Sequence, residues 1–468
     1  MSDSALKAEG VFRWYVPGSA VEEGGLVAGT LEISAEGVST LALVGMLSEA
    51  STALPSLVLG EFPQMHWIIG VLKDQSYVLL GRLSGGGSTF GRALSHQTFR
   101  AQDCLVFHQM TEFPDLGSVT KLQIELDALG DWAAEPVVKV NKTKNGASAR
   151  GSAPSVRTFK LASKTLRLKT SIRYTAPADA WHRSVTIGQQ THFEVEPMSP
   201  GTLESARRDF HLLEDLVLML SDVDVSFPWP TLRFGATSCI YYFERRVAAP
   251  ASVDVMRCWS TLQWLGSRLG TVLRNLEEKR EVLGPGLYLY LGIRRGKGLY
   301  LENQFSTLIF GLESLHRRTG APAAQTKLDE KIQRILSKIE RKKDHDWLKG
   351  RLKNAGEPNL EERLFSTFSE LDVGLEAASL RLFAKECADL RNQVAHFGGQ
   401  RDGGYDDFVN RMHRLNEAVR PLYHAVLLHR IGFGQDRIHA YFHRAPYSGQ
   451  RKKALERAGL VISVRPVG

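Results

Sequence analysis

The chain has 468 residues, of which 43% are hydrophobic and 24% charged, and this composition is typical of a folded globular protein. A chain of this length predicts roughly two to four domains. It has no run of eighteen or more apolar residues and no secretion-signal pattern at its start, so we expect no membrane span and a cytoplasmic location. The formal net charge of +8 can attract polyanions, but charge alone leaves nucleic-acid binding undecided.

Residues 1–198 are predicted to form an all-β domain, either a sandwich or a barrel-like fold. About nine short runs rich in β-branched and aromatic residues are separated by glycine and turn residues, with no long helical pattern among them. The stretch 139–160 has six basic residues and no acidic one. It favours a solvated hairpin loop, with a basic flap near nucleic acid as the alternative. SGGGSTFGR (84–92) lacks the G-K-[ST] ending of a phosphate loop and is predicted to be a turn between strands.

The apolar period changes to that of helices from Pro200 onward. Residues 199–290 are predicted to be a mixed, mainly helical connector, in which Thr202 caps the first helix and the last helix ends at Gly284-Pro285-Gly286. Residues 291–445 carry five amphipathic patterns with modest connections, which predicts an antiparallel helical bundle. Residues 446–468 are predicted to be a basic tail. The fold class is therefore α+β, with separate β and helical domains.

The segment DLRNQVAHFGG (389–399) places an arginine, an asparagine and a histidine near the end of a predicted helix. Asn392 and His396 are four residues apart and share a face, whereas Arg391 lies about 140° away on an ideal helix. An imidazole in the last turn titrates near neutral pH, where the helix dipole favours its protonated form. A guanidinium beside it can bind a phosphate through two hydrogen bonds.

These groups match the needs of RNA cleavage that uses no metal. RNA supplies its own nucleophile, the 2′-hydroxyl, and the protein must supply a base, an acid and a cation for the phosphate. The commoner role of arginine and histidine at helix ends is to satisfy backbone carbonyls, and spacing alone does not exclude that role here.

Two stretches resemble known domains. Arg391 to His396 resembles the R-x(4–6)-H signature of HEPN domains, in which the residue after the arginine is often asparagine. LIFGLESLHRR (308–318) resembles the earlier HEPN helix that carries a glutamate. GVFRWYVPG and the following VAGTLEISAEGVSTLALVGML resemble the β-rich N-terminal domain of ApeA-like anti-phage proteins.

This resemblance implies a metal-independent endoribonuclease of bacterial anti-phage defence, acting by abortive infection and leaving a 2′,3′-cyclic phosphate. It implies a homodimer or higher oligomer formed through the HEPN helices, RNA as substrate with tRNA among the candidates, and no cofactor or metal. A phage-derived trigger is a candidate partner, and the β domain would sense it or restrain the nuclease. The alternative is a non-catalytic HEPN module that binds RNA, a nucleotide or a protein.

Carried over to this sequence, His396 would be the acid-base group, Arg391 the phosphate-binding cation and Asn392 a polar side chain that aligns them. Glu313 could pair with Arg391, although an i,i+4 bridge to Arg317 is favoured.

Four basic side chains are further candidates for RNA contact: Arg317, Arg318, Lys452 and Lys453. For the two lysines, a solvated tail is the favoured alternative. His439 and His443 are spaced like two metal ligands but have no evident third, and we expect no metal site. The four cysteines lie far apart, which predicts buried free thiols.

Overall fold

The computed structural model describes most of the chain and divides it into two compact units. The β unit comprises residues 1–217, 223–255 and 261–266, and the helical unit comprises residues 218–222, 256–260 and 267–468. The structure describes residues 4–15, 25–47, 67–89, 94–110, 113–133, 135, 137–175, 186–246, 253–296, 299–319, 326–352, 357–395 and 404–462.

Strands dominate the first unit. Within the described ranges they are β1 (Ser4–Tyr15), β2 (Val27–Ser34), β3 (Ser39–Val44), β4 (Trp67–Leu72), β5 (Tyr77–Thr89), β6 (His96–Phe107), β7 (Lys121–Glu125), β8 (Val138–Thr143), β9 (Gly146–Gly151), β10 (Ser155–Lys160), β11 (Lys164–Thr175), β12 (Thr186–Pro197), β13 (Thr231–Phe234) and β14 (Thr237–Phe243). A short 3-10 helix, Asp127–Trp132, follows β7.

Six of these strands close into a barrel. Going round the ring, β6 pairs with β3, then come β2, β1, β4 and β5, and β5 pairs again with β6. Side chains alternate in burial along β2 and β3, as expected for strands with one face toward a core. Phe12, Leu31, Ile68 and Phe99 belong to the apolar cluster that these strands share. The prediction of an N-terminal all-β domain is confirmed.

The sheet continues beyond the barrel, because β14 pairs with the part of β6 that follows its pairing with β3. From β14 the order runs through β13, β7, β12 and β11 to β10. Residues 199–290, expected as one connector, are therefore shared between the units, since β13 and β14 are strands of this sheet. The basic stretch that begins at Lys139 forms the exposed hairpin β8–β9 and then β10.

The glycine-rich segment 84–92 differs from its prediction. Residues 84–89 extend strand β5 and pair with β6, with a register irregularity between Gly85 and Gly87. The prediction of a turn is wrong for these residues, because the long partner strand β6 supplies hydrogen bonds that outweigh the low strand preference of glycine. Residues 90–92 lie outside the described part of the chain.

Helices make up most of the second unit, and two of the described helices belong wholly or mainly to the first. Among the described residues the helices are α1 (Leu203–Ser221), α2 (Leu262–Leu265), α3 (Arg268–Arg295), α4 (Leu301–Thr319), α5 (Thr326–Leu336), α6 (Lys342–Leu352), α7 (Leu360–Ser369), α8 (Ala377–Ala395), α9 (Tyr405–Arg430), α10 (Gln435–His443) and α11 (Ser448–Arg457). Residues 203–217 of α1 and all of α2 are grouped with the β unit. Thr202 caps α1, since its Oγ1 accepts a hydrogen bond of 3.2 Å from the backbone N–H of Ser205.

The sequence pattern predicts the buried face of α4 but not that of α5, where the predicted stripe includes Ile335, which is 41% exposed. The predicted stripe of α4 is fully buried: Phe305, Leu308, Ile309, Leu312 and Leu315. The helix α9 passes through Pro421 without ending. The prediction of a C-terminal helical region is confirmed.

The helix expected to end at Gly284-Pro285-Gly286 instead continues to Arg295. It does so across a kink at Gly284, whose φ of 46° is non-helical and suits glycine. The α6 helix was not predicted, and the expected tail 446–468 begins with α11. Each described helix is too short or too polar to cross a membrane. All four cysteines are buried thiols outside any disulfide, as predicted.

Candidate active site

Two helices of the helical unit position the side chains singled out in the sequence. The α8 helix buries Leu380, Phe383, Cys387 and Leu390 against the bundle. This orientation leaves Arg391 at the boundary of the core and Asn392 exposed. On α4, burial of the apolar stripe leaves Glu313 partly exposed and turned toward the same region.

The Arg391 guanidinium lies between a carboxylate and an aromatic ring. Its Nη2 is 3.6 Å from Glu313 Oε2, and its central carbon is 4.6 Å from the centre of the Phe310 ring. Its Nη1 donates a hydrogen bond of 3.1 Å to Asn392 Oδ1. Its Nε is buried and has no hydrogen-bond partner among the described residues. The arginine is thus held by an ion pair longer than a hydrogen bond and by a cation–π contact.

Glu313 is shared by three arginines. Arg317 Nη2 lies 3.1 Å from Oε1, one helical turn along α4, and Arg363 Nη1 lies 3.6 Å from the same oxygen. The other oxygen faces Arg391. The two pairings weighed from the sequence, with Arg317 and with Arg391, therefore exist together.

Arg363 was missed in the sequence. It lies on α7 with a side chain only 4% exposed, where Nε donates 2.7 Å to the Pro358 carbonyl and Nη2 donates 2.5 Å to Glu357. Its sequence position could have revealed it, since Arg363 lies on the helix face that also buries Leu364 and Thr367. An arginine on a buried face needs polar partners. Its fixed guanidinium supports Glu313 from the side of the core.

Three guanidiniums and two carboxylates meet in this arginine cluster, which we define as Arg317, Arg363, Arg391, Glu313 and Glu357. One positive charge is left over. A phosphate oxygen that replaced the Glu313 carboxylate on Arg391 would exchange a 3.6 Å contact for a charge-assisted hydrogen bond. The cluster therefore carries the net positive charge that attracts an anion.

Two protein-family models match the chain. Residues 13–235 match the model of ApeA N-terminal domain 1, and residues 307–437 match that of the Apea-like HEPN domain. The chain combines an ApeA N-terminal domain with an Apea-like HEPN domain. These matches support the assignment of the chain to the HEPN proteins of anti-phage defence. No curated protein and no solved structure matches the chain.

His396, the last residue of the HEPN-like motif, lies outside the described residues, as do Gly398 and Gly399. Helix α8 is described to Ala395. The expected orientation of the imidazole by Asn392 and by the helix end stays a prediction.

Arg318 has structural partners on α3 of the helical unit. Its Nη2 donates 2.7 Å to the Glu281 carbonyl and its Nε donates 3.1 Å to the Val282 carbonyl. Pro285 has no N–H, so the Glu281 carbonyl cannot receive its helical hydrogen bond, and Arg318 takes that place at the kink of α3. RNA contact by Arg318 would compete with this bracing.

Lys452 and Lys453 lie on α11, and no contact in the described part of the chain joins them to the arginine cluster. Lys452 lies near His443, whose pKa is lowered mainly by burial and further by His439 and Lys452. The rings of His439 and His443 stack with centroids 4.0 Å apart. No group of three or more potential metal-binding side chains occurs in the described residues.

Proposed function

We propose that the chain is a metal-independent endoribonuclease of the HEPN type that acts in anti-phage defence. Attack by the 2′-hydroxyl on the adjacent phosphate would leave a 2′,3′-cyclic phosphate and a 5′-hydroxyl. The observation that carries the proposal is the loosely held guanidinium of Arg391, tethered at the surface of an Apea-like HEPN domain, five residues before a histidine.

In this proposal each side chain has one task. Arg391 binds the phosphate whose charge grows as the new bond forms. His396 removes the proton of the 2′-hydroxyl or donates one to the leaving 5′-oxygen, since an imidazole can serve in either role near neutral pH. Asn392, which is hydrogen-bonded to Arg391, keeps the guanidinium aligned.

Glu313 would hold Arg391 in place until RNA binds. In the structure its carboxylate stands where a phosphate oxygen would stand, on the Nη2 side of the guanidinium. If a phosphate replaces Glu313 on Arg391, the carboxylate keeps its ion pairs with Arg317 and Arg363. The exchange would make RNA binding compete with an internal ion pair.

A second copy of the chain would complete the site. One motif supplies a single arginine and a single histidine, whereas the reaction needs both a base and an acid. Pairing of two HEPN domains, as the family resemblance implies, would bring two histidines and two arginines together. A phage-derived trigger acting through the β unit, and tRNA as the RNA that is cut, belong to the same proposal.

The test uses the full chain with total RNA in buffer containing a chelator. We expect His396→Ala and Arg391→Ala to lower the cleavage rate by at least a hundredfold, since each removes a group that acts in the transition state. RNA ends are then analysed for cyclic phosphate and 5′-hydroxyl.

Two matched variants serve as controls. Arg381→Ala removes another arginine of α8, one that stacks on Phe365 at 4.2 Å much as Arg391 stacks on Phe310. His413→Ala removes an exposed imidazole of α9. Both should cut RNA at the wild-type rate. Cleavage that persists in the His396 and Arg391 variants would exclude these residues as the catalytic pair.

A non-catalytic HEPN module is the second candidate, and one observation favours it. Arg391 already has the Glu313 carboxylate as a partner at 3.6 Å in the single chain. A module that only binds RNA, a nucleotide or a protein would retain bound RNA intact, even with extract of phage-infected cells that supplies the trigger. Cleavage in that extract would exclude this candidate.

A further inference from the structure

The helical unit contains a cavity of about 360 Å³ that shares no residue with the arginine cluster. Helices α3, α9, α10 and α11 contribute to its wall, where cationic and aromatic side chains predominate. Those on which the following argument rests are Arg294, Arg420, Arg451, Tyr441 and Tyr447. The volume lies at the lower end of the range usual for small-molecule sites, roughly 300 to 1,000 Å³.

Arg451 is fixed in the wall of this cavity. Its Nη1 donates hydrogen bonds of 2.8 Å to the carbonyls of Tyr441 and Pro446, and its guanidinium lies 3.9 Å from the centre of the Tyr441 ring. The residue is only 8% exposed, and no carboxylate of the described residues forms an ion pair with it. Its full positive charge is therefore held in place by neutral groups.

Arg420 is the second cation of the wall. Its Nη2 donates to the Gln304 side chain, and its Nη1 lies 3.5 Å from Glu417 Oε1, at the limit of a hydrogen bond. Its Nε is buried and lacks a hydrogen-bond partner within the described part of the chain. Burial lowers the pKa of this guanidinium, which means that the charge is poorly solvated and would gain from a nearby anion.

The charges of the wall do not cancel. Arg294 is paired with Asp222 at 2.5 Å, and Arg420 has only the weak contact with Glu417. The wall thus contains three arginines and two carboxylates, and Arg420 and Arg451 are the two arginines without a close carboxylate partner. An excess of positive charge in a concave site with low-dielectric walls concentrates anions.

Tyr447 adds an aromatic surface. It adopts a left-handed backbone with φ of 61°, which is uncommon for a residue with a bulky side chain. Tyr447 lines the cavity and is 42% exposed as a whole residue, whereas Tyr441 is buried. A half-exposed tyrosine of this kind can stack its ring on the flat face of a nucleobase.

We propose that this cavity binds a phosphate-bearing small molecule of about mononucleotide size. Arg420 and Arg451 would bind the phosphate, since guanidinium groups match phosphate oxygens in geometry and charge, and Tyr447 would stack on the base. The site is separate from the arginine cluster, and the proposal does not depend on ribonuclease activity.

Isothermal titration calorimetry of the full-length His396→Ala protein, in which RNA cleavage plays no part, tests the proposal. The probes are AMP, adenosine and inorganic phosphate. We expect AMP to bind at least tenfold more tightly than either of the other two, because only AMP engages both the arginines and the tyrosine.

Variants locate the binding. Arg420→Ala should weaken AMP binding at least tenfold. Arg420→Lys should weaken it less, since lysine keeps the charge but lacks the paired N–H donors of a guanidinium. Tyr447→Asn removes the ring while tolerating the left-handed backbone, and should make AMP bind no better than inorganic phosphate. The control is Arg414→Ala on the same helix, whose arginine pairs with Glu386 at 2.6 Å and lies outside the cavity wall.

Four results would overturn the proposal. The first is the absence of heat from AMP at millimolar concentration. The second is binding of adenosine or inorganic phosphate as tight as that of AMP, and the third is a loss of binding in Arg414→Ala as large as that in Arg420→Ala. The fourth is unchanged AMP binding in Tyr447→Asn. Thermal unfolding midpoints of all variants show whether each is folded before titration. If Arg420→Ala folds poorly, Arg420→Lys and Tyr447→Asn still test the site, because they change it independently.

Discussion

The β unit and the helical unit each contain a carboxylate surrounded by arginines, and the two clusters differ in how completely they are satisfied. Asp103 on β6 is only 4% exposed and accepts hydrogen bonds of 2.5 and 2.8 Å from Arg82, 2.7 Å from Arg207 and 2.5 Å from the Tyr241 hydroxyl. Glu313 is 19% exposed and has one arginine contact at 3.1 Å and two at 3.6 Å.

The difference separates a structural cluster from a candidate functional one. Asp103 accepts three hydrogen bonds at Oδ1 and one at Oδ2, all of 2.5 to 2.8 Å, so a ligand has little to gain there. Burial raises the pKa of Asp103 above its ordinary value, although the Tyr241 hydroxyl and the Arg82 guanidinium lower it. Around Glu313 the contacts are long, and the Arg391 Nε lacks a partner among the described residues. An incoming anion could improve these contacts.

The largest effect should follow from breaking the satisfied cluster. Asp103→Ala leaves Arg82 and Arg207 without their carboxylate, and loss of one partner of a buried pair costs about 3 to 5 kcal/mol. Because the Arg82 side chain is 35% exposed, we expect a value near the lower end. Hydrogen exchange of the β5, β6 and β14 amides measures this local free energy of unfolding.

The matched control is Glu9→Gln, which breaks an exposed pair with Lys73 in the same unit. It should leave exchange of the β unit unchanged. If Asp103→Ala were as harmless as this control, the inference that the cluster is structural would be wrong.

A smaller effect concerns a buried histidine of the helical unit. Burial lowers the pKa of His424 to about 4, and its Nδ1 lies 2.7 Å from the Tyr290 hydroxyl. The unfolded histidine titrates near 6.5, so protons bind the unfolded chain first. Stability from this group is fully present above pH 6.5 and is lost as the pH falls toward 4. The unfolding equilibrium should shift by up to about tenfold per pH unit in this window.

Urea titrations of the wild type and His424→Phe between pH 7 and 4.5 isolate this contribution, because the other thirteen histidines are common to both proteins. The variant should start less stable but lose less stability as the pH falls. Parallel pH curves for the two proteins would contradict the assignment. A difference between the two curves would show that the helical unit, like the β unit with Asp103, contains a buried polar group that contributes to stability.

Periodic features of both units were predictable, because burial repeats along an element. The stripe from Phe305 to Leu315 gave the orientation of α4, and Thr202 gave the start of α1. The places where prediction failed depend on distant residues. The helix α3 continues past Gly284 and Pro285, where Arg318, more than thirty residues later, donates hydrogen bonds to the carbonyls of Glu281 and Val282.

The candidate site shows the same division. The motif residues Arg391 and Asn392 are local in sequence and were identified, whereas Arg363 enters the cluster through packing of α7 against α4 and α8. The sequence also left two partners open for Glu313, Arg317 and Arg391, since spacing along one helix cannot exclude a contact from another. Only the fold shows that both contacts coexist.

The smallest effect on stability should come from the unsatisfied cluster. Glu313→Gln preserves the shape of the side chain and removes its charge, and since the contacts are partly exposed and mostly long, we expect stability to change by less than about 1 kcal/mol. The expected change is in RNA binding, because Arg391 is then released from its internal competitor. In a His396→Ala background, affinity for a single-stranded oligonucleotide should rise, and its logarithm should fall more steeply with the logarithm of salt concentration, by about 0.7 for one additional cation.

Net charge alone would also strengthen RNA binding, so the control must change charge equally on the same helix. Glu302→Gln does this in the first turn of α4, where the carboxylate faces the Tyr405 hydroxyl at 3.4 Å rather than an arginine. If both variants steepen the salt dependence alike, the cause is general electrostatics and Glu313 does not restrain Arg391. If only Glu313→Gln does so, and Arg391→Ala cancels the gain in the double variant, the carboxylate competes with phosphate for that one guanidinium.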